Sequence, residues 1–144
     1  ARREEARARD AARACLELVG LVGREDRIAA ELPLGEQRYV EIARALACGP
    51  QLLLLDEPAA GLNEREAEEL AALLIELRRR GMTLLVIEHH MRFVMQVSDR
   101  IVVLNFGCKI ADADPASVRS DPAVIAAYLG VDDDQGGAGS AASR

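Results

Sequence analysis

Two short apolar runs without polar interruptions stand out along the chain. Residues 51–55 (QLLLL) and 83–87 (TLLVI) have the length of strands and do not alternate, which is typical of parallel strands covered on both faces. A strand, a helix and a strand form a βαβ unit, so we expect parallel strands joined by a right-handed crossover. Between the runs, apolar residues spaced three or four apart predict the buried stripe of a helix: Ala67, Leu70, Ala71, Leu74 and Leu77.

The ends of this central helix carry recognisable signals. Asn63 followed by Glu66 is a variant of the capping box, which satisfies free N–H groups at the start of a helix. Acidic residues lie early in the helix and residues 78–80 (RRR) lie late, in agreement with the helix dipole. Gly81 is a typical stop, so the helix is predicted to run to Arg80.

Two further helices are predicted before the first strand. Residues 2–19 alternate Arg and Glu around Ala and lead into CLELVGLVG, which indicates an exposed helix whose last turns bury Leu16, Val19 and Leu21. Residues 36–48 form the second helix, and a Gly-Pro pair directly after it acts as a stop. Apolar residues at helical spacing predict its buried face: Tyr39, Val40, Ala43, Leu46 and Ala47.

The rest of the chain predicts shorter elements. Residues 91–97 form a short helix, and residues 105–107 form a tight turn between two antiparallel edge strands. Pro115 and Pro122 each open a short helix, the second of which ends at AYLG. Residues 131–144 are acidic and then rich in Gly, Ser and Ala, so we expect them to be disordered.

Composition narrows the classes of function. With 144 residues that are 50% hydrophobic, the chain has the size of one compact domain. Its net charge of -6 argues against a nucleic-acid surface, which needs a clustered excess of Lys and Arg. No apolar run approaches the ~20 residues that span a bilayer, and the charged N-terminus does not resemble a secretory signal, so a cytosolic location is expected. Three widely spaced cysteines fit neither a disulfide framework nor a zinc site and are expected to be buried: Cys15, Cys48 and Cys108.

Charged side chains follow both apolar runs where the predicted strands end. Asp56 and Glu57 follow the first strand, and Glu88, His89 and His90 follow the second. Ligands bind at the carboxyl ends of the strands in an open parallel sheet, and two acids and a His gathered there are typical of a hydrolytic site. An apolar strand followed by Asp and Glu predicts a magnesium carboxylate and a general base.

Ordinary structural roles compete with these interpretations. Asp56 and Glu57 would also be explained by a loop start that caps a neighbouring element, and His89 by a loop histidine near a helix start. For His90 we favour the ordinary role. Adjacent histidines rarely aim at one ion, so a metal site formed by His89 and His90 is not favoured.

Three segments of the chain resemble the C-terminal half of an ABC transporter ATP-binding subunit. They are LPLGEQRYVEIARALACGPQLLLLDEPAAGLN, LLVIEHHM and SDRIVVLNFG, which stand in the order of that family's motifs. The phrases DEPAAGLN, IEHHM and DPAVIAAYLG are most similar to the subunits that energise branched-chain amino-acid uptake. The resemblance implies an α/β fold, with a partial P-loop-NTPase-like sheet of parallel strands flanked by helices and a C-terminal antiparallel hairpin with short helices.

The resemblance also implies a division of the chain and a set of partners. Residues 1–50 would belong to the helical signature subdomain, residues 51–130 to the C-terminal part of the ATPase core, and residues 131–144 to the disordered tail. The implied cofactors are ATP and Mg²⁺. The implied partners are a second ATP-binding subunit, membrane permease subunits and, indirectly, a substrate-binding protein, with the chain on the cytoplasmic face of the inner membrane.

Site residues follow from the same resemblance, position by position. Asp56 would hold Mg²⁺ through water, Glu57 would be the catalytic base and His89 the switch residue that senses the terminal phosphate. A signature segment at residues 32–37 and a D-loop at residues 60–63 would contact the nucleotide through six residues: Leu34, Gly35, Glu36, Gly61, Leu62 and Asn63.

Two departures from the family pattern bear on activity. The family holds the phosphates in a glycine-rich loop with a lysine, and Lys109, the one lysine of the chain, lacks that context. The family's signature serine, which offers a hydroxyl to the terminal phosphate, is replaced by Pro33. We therefore expect half of an ATP-hydrolysing subunit that is inactive alone, with a non-catalytic interaction module as the alternative. A lobe of an ABC-type DNA-repair ATPase is disfavoured, because coiled-coil arms and a basic surface are missing.

Overall fold

A computed structural model describes residues 2–129 of the chain. It divides into two compact units, Ala1–Val97 and Ser98–Arg144. The boundary predicted at residue 50 separates two subdomains of the family and not two compact units of this structure. It therefore stays a prediction. The predicted disordered tail at residues 131–144 lies outside the described residues.

The first unit contains helices on a two-stranded sheet. Its elements are α1 (Arg2–Leu18), a 3₁₀ turn (Ala29–Glu31), α2 (Leu34–Leu46), β1 (Leu52–Asp56), α3 (Glu64–Arg79), β2 (Thr83–Ile87) and α4 (Met91–Val97). The strands are parallel, with Leu54 opposite Leu85 and Asp56 opposite Ile87. The predicted βαβ unit and its parallel pairing are therefore confirmed.

The core of the first unit lies on one side of this sheet. The predicted stripe of α3 is confirmed, because all five of its residues are buried, and Leu70 and Leu74 are fully inaccessible. The predicted burial at the end of α1 is also observed, since Val19 and Leu21 are buried and Leu16 is half-buried. The capping box is present, with Asn63 and Glu66 each accepting a backbone N–H from the other.

Helix α2 differs from its prediction in start and buried face. It begins at Leu34, two residues before the predicted start at residue 36. Ile42 is buried in place of Ala47, which is exposed in the turn after the helix. The spacing of apolar residues allows both faces, and packing against the neighbouring elements decides between them.

One face of the β1–β2 sheet is exposed, so residues 2–129 supply the predicted cover on one face only, as expected of a chain that lacks part of the sheet and its helices. Leu53 packs into the core, whereas alternate residues on the opposite face are open. Leu54 and Ile87 are 64% and 61% exposed, and Leu52 and Leu85 lie beside them on the same face. Within the described residues, the helices of this unit cover only the other face. Continuous apolar runs are thus retained although half of their side chains meet solvent, which is unusual for a self-sufficient domain.

The second unit is built on an antiparallel hairpin. Its elements are β3 (Ile101–Asn105), β4 (Cys108–Ala113), α5 (Pro115–Ser120), α6 (Pro122–Val124) and a π-helical segment (Ile125–Leu129). The predicted tight turn is confirmed, because Asn105 pairs with Cys108 and the two residues between them have positive φ angles of 46° and 78°. Such a pair suits the twist of a hairpin. The prolines open the helices as predicted, and Asp114 and Asp121 cap them.

The expectation for the cysteines is wrong. Cys15 is half-buried, and Cys48 and Cys108 are exposed. Cys48 lies in the turn after α2 and Cys108 directly follows the hairpin turn, and backbone at such turns runs over the surface.

Among the described helices, none combines the length and the apolar character that crossing a bilayer requires.

Candidate functional site

The carboxyl ends of β1 and β2 meet at one edge of the sheet. Asp56 lies opposite Ile87, and the N–H of Glu57 donates to the carbonyl of Ile87 over 2.8 Å. Pairing therefore continues one residue beyond β1. It brings the charged residues after both strands to a shared rim, as the sequence predicted.

Glu57 and His89 are neighbours on this rim. Nδ1 of His89 is 3.6 Å from Oε1 of Glu57, and the two side chains are 74% and 55% exposed. This separation exceeds a direct hydrogen bond, so both groups keep polar atoms available to a third molecule. A carboxylate in this setting can accept a proton from water, and an imidazole N–H can donate to an oxygen anion.

The backbone of Glu57 adopts a conformation that is rare for a residue with a side chain. Its φ angle is +45°, in the left-handed region. The N–H of Ala60 donates to the Glu57 carbonyl over 3.0 Å, which closes a turn directly after the strand. Strained backbone of this kind costs of order 1–3 kcal/mol and persists where surrounding contacts enforce it, often at functional sites.

Asp56 stands exposed at the end of β1. Within residues 2–129, no group of three or more His, Cys, Asp or Glu side chains is arranged to hold a metal ion. Mg²⁺ in nucleotide sites is commonly held by one or two carboxylates together with phosphates and water. One exposed carboxylate at a strand end therefore fits a magnesium ion that arrives with a nucleotide.

Glu88 was predicted to lie at this rim, but no chemical role was predicted for it. Its side chain is only 2% exposed, and its carboxylate accepts backbone N–H groups from the turn after Glu57 and from the segment after β2. The bond from Ala59 joins residues 29 positions apart, whereas the bond from His89 joins neighbours in the chain. No local sequence pattern marks the bond from Ala59, and only the predicted proximity of the two strand ends could have suggested it.

The predicted signature and D-loop residues form a second group. Pro33 is the N-cap of α2 and makes no side-chain cap, so Leu34, Gly35 and Glu36 occupy the first turn of the helix. A Cβ on Gly61, whose φ is +77°, would come within 3.1 Å of the Leu34 side chain. The start of α2 and the loop before α3 are therefore in contact, although β1 lies between them in the sequence.

Contacts in this group leave little room for larger side chains. A Cβ on Gly35 would lie 3.3 Å from Oε1 of Glu66, which belongs to the capping box. Asn63 caps α3, and Leu62 is half-buried and packs against the core. Both residues therefore stabilise the fold in addition to any contact with a ligand.

His90 and Lys109, which received no role in the site, make contacts within their own units. The side chain of His90 is exposed, and the carbonyl of His90 accepts the N–H of Val94 at the start of α4. Lys109 pairs with Asp112 on β4 over 3.1 Å.

Comparisons with known proteins converge on one family. Residues 2–60 match the family described as ABC transporter, and residues 108–134 match the family described as branched-chain amino acid ATP-binding cassette transporter. The chain is 48% identical over 130 residues to the high-affinity branched-chain amino acid transport ATP-binding protein LivG of Escherichia coli (strain K12). The chain resembles the C-terminal half of an ABC transporter ATP-binding subunit, as predicted. The match to LivG covers 90% of this chain and 51% of that protein, and BraF of Pseudomonas aeruginosa matches to the same extent.

Solved structures of ABC cassettes share the fold of this chain. MJ1267, an ATP-binding cassette of an ABC transporter in its ADP conformation, matches with a TM-score of 0.79 at 34% identity, covering 86% of this chain and 50% of that one. A nucleotide-free cassette from an ABC transporter matches with a TM-score of 0.78 at 32% identity, covering 85% and 50%. The predicted fold class is confirmed, and the chain spans about half the length of the relatives it matches.

Proposed function

We propose that this ABC chain carries the water-activating and phosphate-sensing part of an importer's ATPase subunit. In this proposal Asp56 serves the magnesium ion, Glu57 is the general base and His89 contacts the terminal phosphate. The signature segment and the D-loop would approach nucleotide held by a second ATP-binding subunit. The phosphate-binding loop would come from the half of the subunit that these 144 residues do not contain.

One observation carries the proposal: Glu57 and His89 lie 3.6 Å apart, at the carboxyl ends of two parallel strands and beside Asp56. A base, a phosphate ligand and a magnesium carboxylate within one rim are three of the groups that ATP hydrolysis uses. The exposure of Glu57 and His89 leaves them open to a nucleotide supplied by another part of the subunit.

Asp56 would be the residue that holds Mg²⁺ when nucleotide is bound, and the ion would neutralise charge on the phosphates. Two further roles belong to residues of this chain. Glu57 accepts the proton of the attacking water, and the imidazole of His89 donates to an oxygen of the terminal phosphate.

The transported solutes are proposed to be branched-chain amino acids. This rests on the similarity to LivG and BraF, whose names specify high-affinity branched-chain amino acid transport. The proposed partners are a second ATP-binding subunit and membrane permease subunits, with a substrate-binding protein acting through the permease. The chain would then work on the cytoplasmic face of the inner membrane.

The proposal is tested with a completed cassette, in which the part of Escherichia coli LivG outside the matched region is placed before Ala1. Magnesium-dependent release of phosphate from ATP is expected from the completed cassette, whereas the 144-residue chain alone should show none. A folded completed cassette that neither binds nor hydrolyses ATP would contradict the proposal.

A second candidate, a non-catalytic interaction module, is favoured by Pro33. Proline at the N-cap of α2 has neither a hydroxyl nor an N–H, and the helix start has no side-chain cap. A hydrogen bond to a phosphate is worth roughly 1.5–3 kcal/mol. Gly35 is buried, but the first turn of α2 has backbone N–H groups without intrahelical partners, so we favour weakened nucleotide contact over a complete loss.

Replacing Pro33 by Ser in the completed cassette is therefore expected to strengthen ATP-dependent pairing of two cassettes. The φ and ψ angles of Pro33, −53° and 151°, are accessible to serine. A hydroxyl contact of the size above corresponds to a roughly 10-fold or larger fall in the ATP concentration that gives half-maximal pairing. The measurement is the dimer fraction by light scattering across an ATP titration.

Pro33→Ala is the matched control, because it removes the ring without supplying a hydroxyl. It is expected to leave the ATP dependence close to that of the parent. If Ser and Ala behave alike, Pro33 is not the reason for a weak contact.

A further inference from the structure

Glu88 is a buried acid within a rim whose other charged side chains are exposed. Its side chain is 2% exposed, against 74% for the adjacent His89. Burying a carboxylate is costly unless hydrogen bonds compensate. Its two oxygens accept three backbone N–H groups, which supplies that compensation.

The two oxygens of Glu88 serve different segments. Oε1 accepts the N–H of Ala59 over 2.9 Å, two residues after the proposed base. Oε2 accepts the N–H of His89 over 3.1 Å and that of His90 over 3.4 Å. One rigid group therefore joins the turn after β1 to the segment after β2.

These contacts complete a clamp around Glu57. The N–H of Glu57 is held by the Ile87 carbonyl on one side, and the N–H of Ala59 is held by Glu88 on the other. Between these two points the backbone of Glu57 takes its positive φ angle of 45°. Without Glu88, two backbone hydrogen bonds of the described residues would still hold this conformation, the bond to Ile87 and the turn bond from Ala60.

We propose that Glu88 is a positioning residue that sets the separation between Glu57 and His89. The inference rests on the proposed function, because the separation between Glu57 and His89 matters for catalysis only if both residues act on one nucleotide. Misplacing a reacting group by about 1 Å can cost a factor of about 100 in rate. Glu88 touches neither substrate nor water in this scheme and acts through the backbone on both sides of the site.

The test compares Glu88→Ala and Glu88→Gln in the completed cassette. Glu88→Ala is expected to lower kcat roughly 10- to 100-fold while the KM for ATP changes less than about twofold. Glu88→Gln keeps one oxygen for Ala59 but presents an NH₂ group to the N–H of His89, so its kcat should lie between those of Ala and the parent. Glu76→Gln is the matched control and should retain parental kcat, because Glu76 lies on α3 in an exposed pair with Arg80, the residue after the helix.

The outcomes separate this inference from the proposed function. If the parent hydrolyses ATP and folded Glu88→Ala keeps its kcat, the positioning role is wrong and the proposed function stands. If melting temperature, ATP affinity and kcat all fall in both Glu88 variants, and kcat is no higher in Glu88→Gln than in Glu88→Ala, the role of Glu88 is purely structural. That result would overturn the inference. If Glu88→Ala does not fold, Glu88→Gln is used in its place. A lower kcat with little change in KM supports the positioning role, and an unchanged kcat contradicts it. An inactive parent would overturn both ideas.

Discussion

Replacing Glu57 by Gln in the completed cassette is expected to lower kcat for ATP hydrolysis at least about 100-fold, because general-base catalysis is worth a factor of 10² to 10⁴. Gln has nearly the same shape but does not accept a proton from water. It also keeps the backbone contacts that hold the left-handed conformation of residue 57. ATP binding should survive, so the loss should appear in kcat and not in KM. Steady-state phosphate release and equilibrium binding of a fluorescent nucleotide measure the two quantities separately.

The matched control is Glu69→Gln, which makes the same chemical change at an exposed glutamate of α3 that pairs with Arg65. Its kcat is expected to stay within twofold of the parent, as surface ion pairs contribute little. Turnover that persists in Glu57→Gln would remove the assigned role of Glu57 while leaving the fold assignment intact.

The double substitution Leu54→Lys with Ile87→Lys is expected to have opposite effects in the chain alone and in the completed cassette. In the chain alone both residues are exposed on the open face of the β1–β2 sheet, so we expect self-association through that face. Two lysines there should convert oligomers into monomers. In the completed cassette the predicted second cover would bury them, and unpaired buried charges cost several kcal/mol each. That cost is comparable with the whole stability of a domain, so the completed cassette should fail to fold.

Sedimentation of the chain and thermal unfolding of the completed cassette measure the two effects. Val22→Lys is the control, because Val22 is exposed and lies outside the sheet. It should change neither the oligomeric state nor the unfolding temperature by much. A chain that is already monomeric, or a completed cassette that tolerates both lysines, would show that this face is not an interior surface awaiting its cover.

Local patterns were sufficient to predict much of the first unit. The stripe of α3 and the capping box at Asn63 depend on side chains within one or two helical turns, so their sequence signals are self-contained. The shared rim of Asp56, Glu57 and His89 was also predictable, since parallel strands necessarily end at the same edge. The magnesium and general-base roles of Asp56 and Glu57 were predicted from an apolar strand followed by Asp and Glu, whereas the switch role of His89 came from resemblance.

Errors arose where burial depends on partners distant in sequence. The spacing of apolar residues in α2 allowed Ala47 to face the core, but packing selected Ile42. The leucines of β1 predicted cover on both faces, whereas the described residues cover one. Cysteine burial was inferred from a general tendency that says nothing about turns, where Cys48 and Cys108 are located.

By itself, the sequence determined the order of strands and helices, the parallel pairing and the edge at which the charged residues gather. Those features follow from the periodicity within each element and from the order of the elements, because a strand, a helix and a strand in succession bring both strands side by side with a shared edge. Only the tertiary structure decided that Glu88 is buried, that it reaches Ala59 across 29 positions and that Glu57 adopts a left-handed backbone between two anchored points. A hydrogen bond between distant residues exists only once the chain has brought both of its ends together, so no local pattern encodes it.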